Sequence, residues 1–187
     1  MKLLLRFMCL LLPFSTIVQA ATVDLSLTPQ TSNVSVGDSF DVDVMGTLSG
    51  ATSSGFDGGH FDLGFDPAIL DATLITLHSP WAPISTAPTI DNSSGLIHSS
   101  DIGSLLGISD GTYNIATITF LAQNSGTSSL TFSGLLFTYD YASQIADVNK
   151  TDGSVNVSAV PIPAAGILLL SGIGFFTLIS RRRASTA

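Results

Sequence analysis

Side chains that could carry out catalysis or bind a metal are few in this 187-residue chain. Three histidines, His60, His78 and His98, fall on separate predicted strands and could form a metal site only if the fold brings them together. Histidines exposed on strands are the simpler interpretation. The sole cysteine, Cys9, lies near the start of the chain, and neither a GxSxG motif nor a phosphate-binding loop occurs. The sequence therefore predicts a protein that is not an enzyme, with no catalytic residue, cofactor or metal ligand to assign.

The carboxylates are all of one type, since the chain has fourteen Asp and no Glu. Asp41 and Asp43 are two residues apart on a predicted strand and share a face, where the paired carboxylates of a hydrolase could also stand. Alternation with valines is typical of a solvated strand face, which is our interpretation of the pair. Asp suits turns and Glu suits helix interiors, so the composition favours a β protein with many turns.

One acidic segment, "DVNKTDG" from Asp147 to Gly153, is similar to a calcium-binding loop in its order of Asp147, Asn149 and Asp152. Its third candidate ligand comes one residue late, and a chain without Glu lacks the final ligand that such loops require. We interpret the segment as the turn into the last strand. Structural calcium held by other Asp side chains stays open, because no spacing singles out its ligands.

The charge of the central region is strongly one-sided, because Lys150 is the only Lys or Arg between Ala21 and Pro163 while all fourteen Asp lie there. Such a surface repels phosphates and anionic lipid, so we expect no nucleic-acid partner. The same region has no cysteine and can form no disulfide, so packing must stabilise it.

Period-two alternation of apolar residues runs through the middle of the chain and predicts about eight strands. The fold class expected is all-β, a two-sheet antiparallel β-sandwich of the jelly-roll type, over residues 22–158. Asp66 and Pro67 predict one capped turn, and no long helix is expected before the tail. The predicted strands are Thr22–Leu27, Ser39–Leu48, Gly58–Phe65, Ala72–His78, Gly95–Ser100, Tyr113–Ala122, Ser128–Tyr139 and Gly153–Val160.

The only Trp lies in a long Pro-containing loop from Ser79 to Gly95. Trp81 could cap one open end of the sandwich, or it could stack on a ligand as exposed loop aromatics do. Packing at the end of the sandwich is the simpler interpretation, and Trp81 is kept as the candidate ligand-stacking residue.

The first twenty residues have the pattern of a secretory signal peptide. Lys2 and Arg6 precede an apolar run, and the small-residue ending places cleavage after Ala20 or Ala21. A lipoprotein signal is the alternative because Cys9 is present, but that cysteine lies before the apolar run ends. We predict residues 1–20 as a signal peptide and therefore an exported domain.

Four segments of the middle region occur in the order of a known family. They are "VSVGDSFDVDV" from Val34, "GFDGGHFDLGFDPAILDATLI" from Gly55, "DGTYNIATITFLAQNSGTSSLTF" from Asp110 and "DGSVNV" from Asp152. This order resembles the cohesin family, although Phe65 stands where that family commonly has Tyr. The resemblance implies a β-sandwich over residues 22–158 and a dockerin-like protein as a partner. The same residues also meet general strand and turn requirements, such as positive φ at Gly37.

The C-terminal segment, residues 160–183, combines two prolines, an apolar run and three arginines. A helix over 164–180 would be short for a ~30 Å hydrocarbon core, and Arg181, Arg182 and Arg183 would stay in the cytoplasm by the positive-inside rule. The domain would then be held at the membrane, on the outer side, before any processing.

The same tail resembles the PEP-CTERM sorting signal of Gram-negative bacteria. Val160, Pro161, Ile162 and Pro163 are similar to the V-P-L-P variant of its motif, with no Glu. The resemblance implies an exosortase-like membrane transpeptidase as a partner, and delivery to the cell surface or the extracellular matrix. A plain tail anchor is the alternative.

These observations predict an exported, non-enzymatic protein of the cell envelope or matrix that acts in adhesion or protein interaction. A carbohydrate-binding module that recognises exopolysaccharide or other glycans is the alternative, with Trp81, Tyr113, Tyr139 or Tyr141 stacking on sugar rings. A hydrolase would need a cleft with clustered Asp or His.

Overall fold

The computed structural model describes residues 20–51, 54–84, 87–99 and 101–160. These residues form strands and turns, and no helix among them is long and apolar enough to cross a membrane. The strands are β1 Thr22–Thr28, β2 Thr31–Ser35, β3 Ser39–Ser49, β4 Phe56–Gly64, β5 Leu70–Leu77, β6 Ala82–Pro83, β7 Thr89–Asp91, β8 Leu96–His98, β9 Ile102–Ile108, β10 Gly111–Ala122, β11 Gly126–Tyr139, β12 Gln144–Ile145, β13 Asp147–Thr151 and β14 Gly153–Ser158.

The strands make two sheets packed as a sandwich, which confirms the predicted fold class. A five-stranded sheet has the order β13-β1-β3-β10-β5. A nine-stranded sheet has the order β2-β14-β11-β4-β8-β7, with β12 on β11, β9 on β4 and β6 on β9. Pairing is antiparallel except between β1 and β13 and between β2 and β14, where the strands run parallel at the sheet margins.

Both sheets bury one face because their apolar residues alternate with polar ones. Phenyl rings fill much of the core between the layers. Phe65, which follows β4, meets Phe120 of β10 edge to face with ring centroids 5.5 Å apart, and Phe61 meets Phe132 in the same manner at 6.0 Å. Such edge-to-face pairs are the preferred aromatic geometry. The Phe65–Phe120 pair joins the two layers, and the Phe61–Phe132 pair joins β4 to β11 within the nine-stranded sheet.

The segment from Asp147 to Gly153 differs from its prediction. Residues Asp147–Thr151 form a strand that pairs in parallel with β1, and the predicted turn is confined to Asp152. Only Val148 of this strand is partly buried, so its sequence lacks the alternation that reveals a strand. The neighbouring β1, rather than a pattern in the segment itself, determines its conformation.

Two predicted turns are observed. Gly37 has a φ of 92°, and the Asp38 carboxylate accepts a hydrogen bond from the Ser35 amide at 2.8 Å. The Asp66 carboxylate accepts one from the Ala68 amide at 2.9 Å, and the Asp66 carbonyl accepts one from Leu70 at 3.0 Å. The segment after Asp66 is therefore a single capped turn.

The chain enters and leaves the sandwich at opposite ends. Near the start of the domain, the Ala21 carbonyl accepts a hydrogen bond from Asp147, beside the end of β11 at Tyr139. At the other end the Ser158 carbonyl accepts one from Val36. Strand β11 runs between these ends over 14 residues, a length of about 45 Å at ~3.3 Å per residue.

Candidate interaction surface

The outer face of the five-stranded sheet is covered by polar side chains that bond to one another. Thr117 donates to the Asp43 carboxylate at 2.5 Å, and Thr119 donates to Asp41 at 2.7 Å. His78 Nε2 lies 2.8 Å from the Thr117 hydroxyl. Asp41 and Asp43 thus have neighbouring hydroxyls as partners, as their interpretation as a sheet face predicted, and this face offers few unengaged groups to a partner.

The nine-stranded sheet carries a different surface at the end of the sandwich where β11 finishes. Ile84, Leu105 and Tyr141 are exposed there around a mainly apolar depression of about 300 Å³. We call these three residues the apolar patch. Leu105 is 92% exposed and Tyr141 is 81% exposed, and the next residue of β9, Leu106, is 95% exposed. Grouped apolar side chains of this kind typically mark binding surfaces.

The turn that presents Tyr141 has an unusual backbone. Asp140, Tyr141 and Ala142 have φ values of 61°, 59° and 57°, a left-handed conformation that non-glycine residues rarely adopt. Each such residue costs about 1–2 kcal/mol. Three consecutive residues of this kind require compensating bonds, and strained residues of this type concentrate at functional sites.

Asp57 of β4 supplies the compensating bonds. Its Oδ2 accepts a hydrogen bond from the Ala142 amide at 2.6 Å, and its Oδ1 accepts one from the Thr138 hydroxyl at 2.7 Å. The Asp140 amide also donates to the Gly55 carbonyl at 3.2 Å. One carboxylate therefore connects β4, the end of β11 and the strained turn, and holds Tyr141 at the edge of the depression.

Two of the three histidines lie together on the outer face of the nine-stranded sheet. The rings of His60 on β4 and His98 on β8 have centroids 6.3 Å apart. His98 Nδ1 contacts Asp62 Oδ1, and His60 Nδ1 lies 4.0 Å from Asp101 Oδ1. His78 lies beside the five-stranded sheet, so the three histidines do not converge. No group of three or more His, Cys, Asp or Glu side chains within the described ranges is arranged to hold a metal ion.

Trp81 lies in the core rather than on the surface. Its side chain is 3% exposed and meets Phe137 edge to face at 5.9 Å. The indole therefore packs in the core, and in this conformation its faces are not open to a sugar ring.

The predicted targeting residues lie mostly outside the described residues. Ala20 and Val160 are described and exposed, at the two ends of the domain. The signal peptide before Ala20, the remaining motif residues Pro161, Ile162 and Pro163, the helix 164–180 and the arginine cluster 181–183 fall outside the described part.

The sequence analysis named Tyr141 as a possible sugar-stacking residue but did not predict the apolar patch. Leu105 and Leu106 are adjacent in "GSLLGIS", so they do not alternate with polar residues, and no strand was predicted there. Two neighbouring leucines between glycines in an otherwise polar segment were the available signal. Ile84 and Tyr141 have no neighbouring pattern at all and become a patch only through the pairing of β6 with β9 and the turn after β11.

Comparison with solved structures identifies similar sandwiches. A cohesin in the OlpC cohesin–dockerin complex of Clostridium thermocellum has a TM-score of 0.57 at 12% identity, with 75% of this chain and 95% of that chain covered. The sixth cohesin of scaffoldin B from Acetivibrio cellulolyticus, in complex with a Cel5 dockerin, has a TM-score of 0.57 at 18% identity, with coverages of 73% and 99%. A non-cellulosomal cohesin from Archaeoglobus fulgidus has a TM-score of 0.55 at 14% identity, with coverages of 79% and 96%. These likenesses show the fold.

The family is shown by a sequence comparison of the domain itself. A comparison with curated proteins gives no match. The model of the cohesin domain, however, matches residues 25–157, which is most of the chain and nearly all of the sandwich. Cohesin domains are non-enzymatic modules of protein–protein interaction, in agreement with the prediction that this protein is not an enzyme. The chain therefore belongs to the cohesin domain family.

Proposed function

We propose that this protein is an exported interaction module that binds a dockerin-like protein through its apolar patch. The observation that carries the proposal is the exposure of Ile84, Leu105 and Tyr141 around one depression at one end of a cohesin sandwich. Two of the solved cohesins similar to this chain are in complexes with dockerins. Partially exposed apolar anchors surrounded by polar groups are the usual centre of a protein interface.

The negative charge around the apolar patch supports a partner that carries Lys or Arg. The patch lies beside Asp57 and Asp140 in a domain whose described residues include Lys150 as their only Lys or Arg. Lys150 itself donates to the Phe132 carbonyl at 2.6 Å and lies 3.3 Å from the Asp152 carboxylate. A partner that places an apolar side chain in the depression and Lys or Arg around it would match this surface in shape and charge.

Export completes the proposal. The signal-peptide pattern of residues 1–20 and the PEP-CTERM-like segment 160–183 support delivery to the envelope of a Gram-negative bacterium by an exosortase-like transpeptidase. The product would lie on the cell surface or in the extracellular matrix. There a cohesin-type domain would recruit another exported protein.

The carbohydrate-binding alternative is supported by fewer exposed aromatic side chains than the sequence analysis named. Trp81 and Tyr139 are buried, and Tyr113 is partly buried against the core, with its hydroxyl donating to the Ser109 carbonyl at 3.0 Å. Tyr141 is the remaining candidate with an open ring. A depression of about 540 Å³ near Thr131 includes one aromatic residue, Phe65, and that ring is buried. Sugar sites usually need exposed aromatic platforms, so the surface favours a protein partner.

The experiment is a binding panel with the purified exported protein immobilised on a sensor. Isolated dockerin modules are tested in one series, and soluble glycans, including exopolysaccharide of the bacterium that produces this protein, are tested in the other. We expect micromolar or tighter binding to at least one dockerin and no binding to glycans. Binding to a glycan that Tyr141→Ala abolishes, with no dockerin bound, would replace this proposal by the carbohydrate alternative.

A further inference from the structure

We propose that His60 and His98 form a two-imidazole binding site for a first-row transition-metal ion, with Cu²⁺ and Zn²⁺ as the ions of choice. The site lies on the outer face of the nine-stranded sheet, outside the apolar patch. The inference is independent of which partner the domain binds. It rests on the placement of two imidazoles, the carboxylate beside each of them, and the charge of the surrounding surface.

The sheet itself brings the two imidazoles together. In the antiparallel pairing of β4 and β8, His98 lies directly opposite Asp62, and His60 is two residues before Asp62 on the same face. The ring centroids are 6.3 Å apart and the rings are inclined by 47°. Two imidazole nitrogens that share one ion at about 2.0–2.1 Å place their ring centroids roughly 5–6.4 Å apart. The observed separation of the ring centroids lies within this range, near its upper limit.

Asp62 occupies the ring nitrogen of His98 that a metal would not need, and Asp101 lies farther from the corresponding nitrogen of His60. His98 Nδ1 contacts Asp62 Oδ1, and His60 Nδ1 lies 4.0 Å from Asp101 Oδ1. The Asp62 carboxylate on His98 Nδ1 favours the tautomer of His98 with its proton there, which leaves the Nε2 lone pair of His98 for a metal. This carboxylate–histidine arrangement is the usual outer shell of a protein metal site.

The Asp62 carboxylate lies close against the neighbouring strand β11. Gly134 of β11 has a φ of 57°, and a Cβ at this position would lie 2.5 Å from Asp62 Oδ2. Glycine thus provides both the backbone conformation and the space for the carboxylate.

The surroundings favour a cation and leave the site open. The titratable groups that flank the pair are Asp62 and Asp101, and the β11 residues facing β4 at this level, Ser133 and Leu136, carry no charge. His60 and His98 side chains are 28% and 48% exposed, so an ion can reach them from solvent. Two protein ligands leave the other coordination positions to water or to a ligand from a partner, as in open metal sites.

The test is calorimetric titration of the purified exported protein with CuCl₂ and with ZnCl₂, in the absence of any protein partner. We expect one ion per chain, tighter binding of Cu²⁺ than of Zn²⁺, and a loss of at least tenfold in affinity for His60→Gln and for His98→Gln. His78→Gln is the matched control and should bind as the wild type does. Asp62→Asn should weaken binding roughly 10–100-fold if the outer shell acts as described.

The pH dependence of the metal affinity provides a second readout, because a metal ion binds only the neutral form of an imidazole. Affinity should fall more than tenfold as the pH is lowered from 7.5 to 5.5. The proposal is overturned if no one-to-one binding occurs, if His60→Gln and His98→Gln bind as tightly as the wild type, or if His78→Gln loses as much affinity as they do. Thermal unfolding of each variant without metal shows whether a loss of metal affinity reflects misfolding. If the histidine variants are misfolded, the metal affinity of Asp62→Asn tests the site instead.

Discussion

Individual carboxylates shape the surface of this domain. Asp57 holds three left-handed residues, and Asp66 and Asp38 complete turns by accepting backbone hydrogen bonds. The sequence predicted the turns at Asp38 and Asp66 because glycine or proline accompanies each. The role of Asp57 could not be predicted, because it depends on the left-handed turn at residues 140–142. Asp140 is of a residue type enriched at positive φ, but Tyr141 and Ala142 are not.

Replacing Asp57 tests its role in the turn. Asp57→Ala removes the acceptor for Ala142 and Thr138, and we expect a loss of about 1–3 kcal/mol in the free energy of unfolding, measured with urea. Asp41→Ala is the control, because Asp41 accepts one exposed bond from Thr119, and its expected loss is under about 1 kcal/mol. Equal losses in the two variants would show that Asp57 does not hold the turn.

Asp91 makes stability depend on pH in the acid range. Hydrogen bonds from the hydroxyls and amides of Ser93 and Ser94 lower its pKa from 3.8 to about 2. A lowered folded-state pKa adds stability above the unfolded value near 3.8, and this stability is lost as the pH falls through about 2. Asp91→Ala should therefore be less stable than the wild type at pH 6, with a difference that shrinks between pH 4 and pH 2. A difference that stays constant over this range would contradict the assignment.

At the scale of elements, the alternation of apolar residues correctly predicted eight strands and missed the other six strands of the described residues. Strands β1, β3, β4, β5, β8, β10, β11 and β14 overlap the predicted segments. Strands β2, β6, β7, β12 and β13 were missed because they are short or mostly exposed, and β9 was missed because its adjacent leucines interrupt the alternation. The parallel pairings at the margins join segments more than a hundred residues apart, which local patterns cannot predict.

The edge of β5 offers an element-level prediction. The Asn92 side chain accepts a hydrogen bond from the Ala72 amide and donates one to the Ala72 carbonyl, both at 2.9 Å, as a neighbouring strand would. Asn92→Ala should lower the free energy of unfolding by about 1–3 kcal/mol and increase aggregation, because it bares part of a sheet edge. Light scattering and urea unfolding measure the two effects. Asn33→Ala, which removes an exposed 3.2 Å contact with Asn156, should change neither appreciably.

At the scale of the whole molecule, the apolar patch and the exit of the chain at Val160 lie at opposite ends of the sandwich. A tail that tethers the domain through residues 160–183 would therefore direct the patch away from the cell. Intact mass of the protein recovered from the host's surface tests the tether. A product that ends near Pro163, alone or with an added group, is expected for sorting by a transpeptidase. A mass that extends through Ala187 would favour a plain tail anchor.

The central claim is that this cohesin domain binds its partner through the apolar patch. The most direct measurement compares the dissociation constants of the wild type, Leu105→Ser and Leu74→Ser for the tightest-binding dockerin of the panel. Leu74 is the matched control because it is an exposed leucine on the other sheet. We predict at least tenfold weaker binding for Leu105→Ser, about 1.4 kcal/mol, and no change for Leu74→Ser. Equal affinities for all three proteins, or no dockerin bound by the wild type, would contradict the account.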